Sequence, residues 1–196
     1  LWILPTRNNG QLTMNYCDFV NALPADTPNP NKLYHDQHYG FPIHDDHELF
    51  GRLILEINQA GLSWTTILKK QAAFRAAYAQ FDIARIAAFD EQDYQRLLAD
   101  TGIVRNRLKI RAVIYNAQQV LRLQQEYGSF QAWLAAHHPL TLAQWVSLFK
   151  QHFKFVGGEI VNEFLMSIGY LSGAHHADCP IYAQVLQQQP QWAKTC

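Results

Sequence analysis

Apolar residues in this chain recur at three- and four-residue steps in one segment after another, and no segment alternates as a half-buried strand requires. That periodicity restricts the chain to packed helices, and its punctuation agrees. Asp45 is a good N-cap for the first strong helix, with Glu48 three residues on as in a capping box and Leu49 and Phe50 opening the apolar stripe. Ser63 caps a second helix running to about Phe81, and Asp82 and Asp90 cap two short ones. The longest covers about Asn106 to Tyr127, where Ile110, Val113, Ile114, Ala117, Val120 and Leu121 repeat at helical spacing and Gly128 closes it. Ser129 and Thr141 open two more around Pro139, and GGEIVNEFLMSIG supplies another before Gly169. Met14 to Asn31 carries three prolines among Asn and Asp residues and reads as loop. The expected fold is all-α, about eight helices behind an irregular N-terminal segment.

A length of 196 residues with 48% hydrophobic and 16% charged composition is enough to bury one sizeable core. Sixteen basic and sixteen acidic residues cancel, so nothing global calls for nucleic acid or membrane, and any DNA contact must come from a local patch. No apolar run approaches the roughly 18 residues of a membrane span, and no secretory leader is evident, so the expectation is a soluble, cytoplasmic protein. The division expected is a non-native or disordered extension over residues 1–13 with Met14 as the natural start, a single domain over 14–186, and a Gln-rich tail over 187–196.

Against this pattern LEINQAGLSWTTILKK, Leu55 to Lys70, places a carboxylate where a helix should be apolar. Leu49, Leu53, Glu56 and Ala60 fall on one stripe, so Glu56 is buried or faces a pocket. An unpaired charge there is costly, and a carboxyl without donors or a cation has its pKa pushed upward. Glu56 is thus a candidate binding group, or else a core-lining Glu with a structural hydrogen bond. Gly61 ends the helix, with Leu62 as an exposed wedge and Trp64 as a stacking surface or a core ring.

LLADTGIVRNRLKIR, Leu97 to Arg111, joins two helices through a glycine turn followed by Arg105, Arg107, Lys109 and Arg111 with no acid among them. Like charges four apart oppose the helix unless an anion neutralises them, and a helix N-terminus after such a turn is a phosphate seat. The alternative is a solvated basic face.

Three cysteines make no disulfide framework. The H-x-x-x-C spacing of His175 and Cys179 suits half of a tetrahedral zinc site, with Cys17 and His35 as the other half; four protein ligands would make the metal structural. His176 in place of His175, free cysteines, surface histidines and a Cys17 to Cys179 disulfide are the alternatives. HDDHE, His44 to Glu48, invites a metal-dependent hydrolase, although helix capping explains Asp45 and Glu48 without a metal.

LEINQAGLSWTTILKK, the YHD of Tyr34 to Asp36, LADTGIVRNRLKI, FKFVG at Phe153 to Gly157 and the H-x-x-x-C, in this order, closely resemble the bacterial 3-methyladenine DNA glycosylase I family from Met14 to about Cys179. The resemblance implies a helix-hairpin-helix glycosylase fold with structural zinc on Cys17, His35, His175 and Cys179, joining the N- and C-terminal segments. It implies excision of 3-methyladenine from double-stranded DNA by base flipping, without strand cleavage, by a monomer. Glu56 would accept hydrogen bonds from the base edge, Tyr34 and Trp64 would stack on the base, and Gly61 and Leu62 would sit at the gap in the duplex. Thr101, Gly102, Ile103 and Val104 would offer N–H groups to a phosphate beside Arg105 and Lys109. Many helix-hairpin-helix glycosylases carry a catalytic Asp beyond the hairpin; here no Asp occurs from Thr101 to Ala177, which fits the alkylation-specific branch.

Departures lie where the pocket would be. YHDQHYG stands where the family reads Y-H-D-x-E-W-G, placing His38 and Tyr39 for a Glu and a Trp. Phe19 replaces a common Trp and Asn58 a usual Gln, a pocket Tyr that some members carry has no match here, Asn31 being the nearest position, and Glu159 falls in GGE where a G-P-T stretch is usual. A zinc-tied DNA-binding module with lost or altered excision is the second reading these changes leave open.

Overall fold

The computed structural model describes residues 15–24 and 28–194. Met14 and the segment before it, for which an extension was expected, lie outside the described residues. Among the described residues every regular element is helical, the α-helices being α1 (Tyr16–Asn21), α2 (Pro30–Gln37), α3 (Asp46–Gln59), α4 (Trp64–Ala77), α5 (Ile83–Ala87), α6 (Glu91–Ala99), α7 (Arg107–Tyr127), α8 (Phe130–Ala136), α9 (Leu142–His152), α10 (Gly158–Ser167) and α11 (Tyr182–Gln187).

The caps do what their chemistry predicts. Asp45 accepts the Glu48 N–H at 2.9 Å, Asp82 that of Arg85 at 3.0 Å, and Asn106 those of Leu108 and Lys109 at 2.9 and 3.1 Å. Ser129 and Thr141 cap α8 and α9 in the same way. α3 is the centre of the fold, buried from Leu49 to Gln59 and packed by α4, α7, α8 and α10. A helix enclosed on so many sides brings its polar residues, Arg52 and Glu56 among them, into the interior.

Three expectations need correction. The N-terminal loop contains α1 and α2, because Asn15 and Asn29 act as N-caps and Pro30 occupies the first turn, where its missing N–H costs nothing. The second helix stops at Ala77 rather than near Phe81: Ala79, Gln80 and Phe81 take φ values of 50°, 61° and 64°. That reversal lays the Phe81 ring on Gly51, where any Cβ would collide with it, and under Arg75 at 4.7 Å. Glu48 does not close a capping box but pairs with Arg75 at 2.6 Å. Among the described residues beyond Gln187, the Trp192 N–H donates to the Gly169 carbonyl at 3.3 Å.

Candidate active site and metal centre

Glu56 lies on the last full turn of α3 and is 4% exposed. Burial, then the neighbouring carboxylate of Glu163, pushes its pKa up to about 8, against the opposing pull of Arg52. No hydrogen bond or salt bridge among the described residues satisfies it. Arg52, one turn earlier on the same face, instead donates to the Tyr34 hydroxyl at 2.9 Å and lies 4.8 Å from the centre of that ring. Tyr16, Tyr34 and Tyr39 lie near enough to Glu56 to feel its charge. Tyr34 meets Trp64 edge-on at 4.9 Å and Tyr39 at 5.5 Å, and Tyr39 meets Tyr16 at 5.7 Å. Tyr39 donates to Glu163 at 3.2 Å. The Trp64 indole N–H is buried without an acceptor among the described residues. A carboxyl whose protonated form burial favours, beside aromatic rings, is a candidate binding group.

Two turns flank this cluster. In the first, Ala60 to Ser63 between α3 and α4, Gly61 adopts φ +84° with open space around it, and Leu62 is half-buried rather than fully exposed. In the second, Asp100 to Asn106 between α6 and α7, Asp100 accepts the Gly102 N–H at 2.7 Å, and the chain narrows so far that a Cβ on Gly102 would come within 3.0 Å of Ala73. Ile103 anchors the turn in the core, while Thr101, Arg105 and Arg107 are exposed. The N–H groups of Ile103 and Val104 donate to no acceptor among the described residues. Lys109 lies elsewhere than its place in the basic run suggests. It is 4% exposed, and its ammonium donates to the Asn58 and Ala60 carbonyls at 2.8 and 2.6 Å.

The third assembly gathers Cys17, His35, His175 and Cys179, all buried, with their ligand atoms within 4.8 Å of one another. The Cys179 sulfur is 3.6 Å from His35 Nε2, and His175 Nδ1 is 3.7 Å from both sulfurs. A tetrahedral ion with bonds of about 2.3 Å to sulfur and about 2.0 Å to nitrogen would set such edges at about 3.6 Å, so the donor set fits a four-coordinate metal. The remaining ring nitrogens are engaged outward, His35 Nδ1 with Asp36 at 2.7 Å and His175 Nε2 with the Tyr39 carbonyl at 2.7 Å. These bonds assign the tautomers that turn both free lone pairs to the centre. Burial pushes the Cys17 thiol up to about 12 and His175 down to about 4. The His176 side chain is exposed, its backbone hydrogen-bonding Cys17, and no disulfide joins Cys17 to Cys179.

A sequence model of the methyladenine glycosylase family matches residues 25–146. DNA-3-methyladenine glycosylase 1 of Escherichia coli K12 is 36% identical over 168 residues, covering 76% of this chain and 89% of that one. The corresponding Haemophilus influenzae enzyme is 31% identical over 166 residues, 75% of this chain and 89% of its own. The chain belongs to the methyladenine glycosylase family.

Solved members of the family share its architecture. A variant of 3-methyladenine DNA glycosylase I in complex with 3-methyladenine superposes with a TM-score of 0.76 at 34% identity, covering 86% of this chain and 97% of that one. The Staphylococcus aureus glycosylase described for the structural basis of 3-methyladenine recognition gives 0.73 at 34% identity over 86% and 96%.

In this family member Tyr34 and Trp64 pack together with Glu56 beside Tyr34, and the four Cys and His residues form a second group behind them, since Tyr34 and His35 are adjacent on α2. Tyr16, Arg52 and Glu163 were missed. Arg52 was legible, being four residues before Glu56 on the same stripe; Tyr16 and Glu163 carry no sequence signal. Asn31 turns away to Thr65 at 3.1 Å, while Tyr16, whose hydroxyl donates to the Asn31 carbonyl at 3.2 Å, enters the aromatic cluster. HDDHE forms no metal site among the described residues. Asp46 accepts from Gln124 Nε2 and from the Phe130 and Gln131 N–H groups, His47 accepts from the Ile83 N–H, and Glu48 pairs with Arg75.

Proposed function

We propose that this family member is a monofunctional DNA glycosylase, which extrudes 3-methyladenine from alkylated duplex DNA and hydrolyses its bond to deoxyribose as the first step of base excision repair. The observation that carries the reading is Glu56, a buried carboxyl with no hydrogen bond to another described residue, set beside the rings of Tyr16, Tyr34 and Tyr39. Adenine methylated at N3 is cationic. Its arrival favours the ionised form of Glu56, so the proton that burial retains in the free protein leaves and a charge-assisted hydrogen bond to the base edge takes its place. Tyr34 and Trp64 supply faces for stacking.

Such a base needs no acid to depart. Breaking the C1′–N9 bond leaves both electrons on N9, so the released base is neutral; water adds to C1′, gives its proton to solvent and leaves an abasic site. The chain offers no Asp from Thr101 to Ala177, in keeping with departure that needs little assistance. Gly61 and Leu62 fill the gap in the stack, and the α6–α7 turn, as a helix-hairpin-helix, directs the Ile103 and Val104 N–H groups and Arg105 at the phosphate backbone. Cys17, His35, His175 and Cys179 hold a zinc ion whose role is structural, because four protein ligands leave no open position for water.

Release of free base from methylated duplex DNA, followed by chromatography, tests the reading. Wild type is expected to free 3-methyladenine and Glu56→Gln to lose roughly 100-fold or more in rate, the scale of removing one charged recognition group from a closed site. Wild type that binds methylated duplex and frees nothing would reduce the protein to a DNA-binding module.

A further inference from the structure

The two turns that flank the pocket are tied together by a pair of lysines in reciprocal positions. Lys109, on the first turn of α7, reaches back to the end of α3, where its ammonium is buried between the Asn58 and Ala60 carbonyls. Lys70, on α4, reaches the opposite way, and its ammonium donates to the Thr101 and Gly102 carbonyls at 3.0 and 3.1 Å. Each turn therefore has its carbonyls held by the helix that leaves the other turn. The Lys109 site is built for a cation: carbonyls at a helix C-terminus carry negative partial charge, and the Phe155 ring lies 5.8 Å from the ammonium. Burial lowers the Lys109 pKa, a cost that two short hydrogen bonds offset. Close packing of Gly102 on Ala73 of α4 leaves the second turn little room to slide.

We infer that Lys70 and Lys109 are positioning residues that lock the Gly61 to Leu62 turn to the Thr101 to Arg105 turn, so that backbone phosphate and extruded base are gripped in one fixed register. Lys109 contacts no phosphate, although it stands in a basic run between Arg107 and Arg111. The inference rests on the glycosylase reading for what the two turns grip, and on the lysine contacts alone for the lock.

Three measurements on Lys109→Met, Lys70→Met and the charge-preserving Lys109→Arg test it, all well below each variant's melting temperature. In the first, amide exchange at Gly61 and Leu62 is expected to accelerate in Lys109→Met, and at Thr101 to Ile103 in Lys70→Met; unchanged exchange would overturn the lock whether or not the protein excises bases. In the second, the salt dependence of duplex binding is expected to keep its wild-type slope in Lys109→Met, whereas Arg105→Ala loses about one unit. A loss of one unit in Lys109→Met would make Lys109 a phosphate ligand and refute the inference. In the third, single-turnover base release is expected to fall roughly 10- to 100-fold in both Met variants, the effect of displacing a bound group by about an ångström. Lys109→Arg, whose planar guanidinium cannot converge on the two carbonyls as an ammonium does, is expected to share that loss with duplex affinity intact. Full rates in the Met variants would overturn the inference; wild type that releases no base would instead sink the glycosylase reading and leave the exchange experiment to judge the lock.

Discussion

Two buried polar assemblies stand back to back in this molecule and differ in whether they are complete. In the cysteine and histidine group every ligand atom faces another, and each imidazole is held from behind by Asp36 or the Tyr39 carbonyl. Around Glu56 the pairing is incomplete: Arg52 is engaged by Tyr34 and Glu163 by Tyr39, while burial favours the protonated form of Glu56 and the Trp64 N–H finds no acceptor among the described residues. The two assemblies share elements, with Tyr16 beside Cys17 on α1 and Tyr34 beside His35 on α2. A closed set of donors around a centre stabilises a fold, whereas an open set awaits a partner from solution. The closed group fixes α1 and α2, and through them the rings that wall the open one.

That division predicts opposite responses to mutation. The largest effect belongs to the closed group: Cys179→Ala is expected to abolish stoichiometric zinc and lower the melting temperature by roughly 10 °C or more, the loss of a structural metal's binding energy spread over a domain of this size. Unchanged melting would show that the four residues do not share a metal. Asp36→Asn comes next. It weakens the support behind His35 and is expected to reduce zinc affinity roughly 10- to 100-fold, read by competition with a chelating dye, with the fold retained in excess zinc. Equal affinity in wild type and variant would confine Asp36 to its ion pair with Lys32.

The smallest effect has the opposite sign and belongs to the open group. A carboxyl raised to about 8 binds its proton more tightly in the folded than in the unfolded chain. Its contribution to stability is therefore full below pH about 4.5 and is lost as pH rises through about 8. Glu56→Gln, which cannot ionise, is expected to melt a few degrees above wild type at pH 9, with the gap closing toward pH 5. A variant less stable than wild type at pH 9 would place Glu56 among satisfied structural carboxylates and erase the distinction between the two groups.

Much of this was legible in the residues themselves. Helical periodicity and the side chains of Asp45, Asp82, Asp90, Asn106, Ser129 and Thr141 dictated element type and start, because a cap acts on N–H groups two or three residues away. Glu56 announced itself by breaking an apolar stripe, and H-x-x-x-C announced half of the metal-fitting group. Local chemistry misled where the same residue types serve two purposes. Asn15, Asn29 and Pro30 belong to a stretch that reads as loop and are helix starters, and the acids of HDDHE are a cap, a tie to α8 and a partner for Arg75.

Direction and partnership across the fold were decided elsewhere. Nothing around Lys109 in the chain distinguishes an ammonium facing solvent from one buried against Asn58 and Ala60, 51 and 49 residues away. Nor does anything near Glu163 or Tyr16 place them beside Glu56. Periodicity, caps and motif spacing act over a few residues and so are determined by the sequence alone; desolvation, the raised pKa of Glu56 and the reciprocal lysine ties arise only when distant helices close around a shared interior, where the absence of water makes a charge find a partner or give itself up.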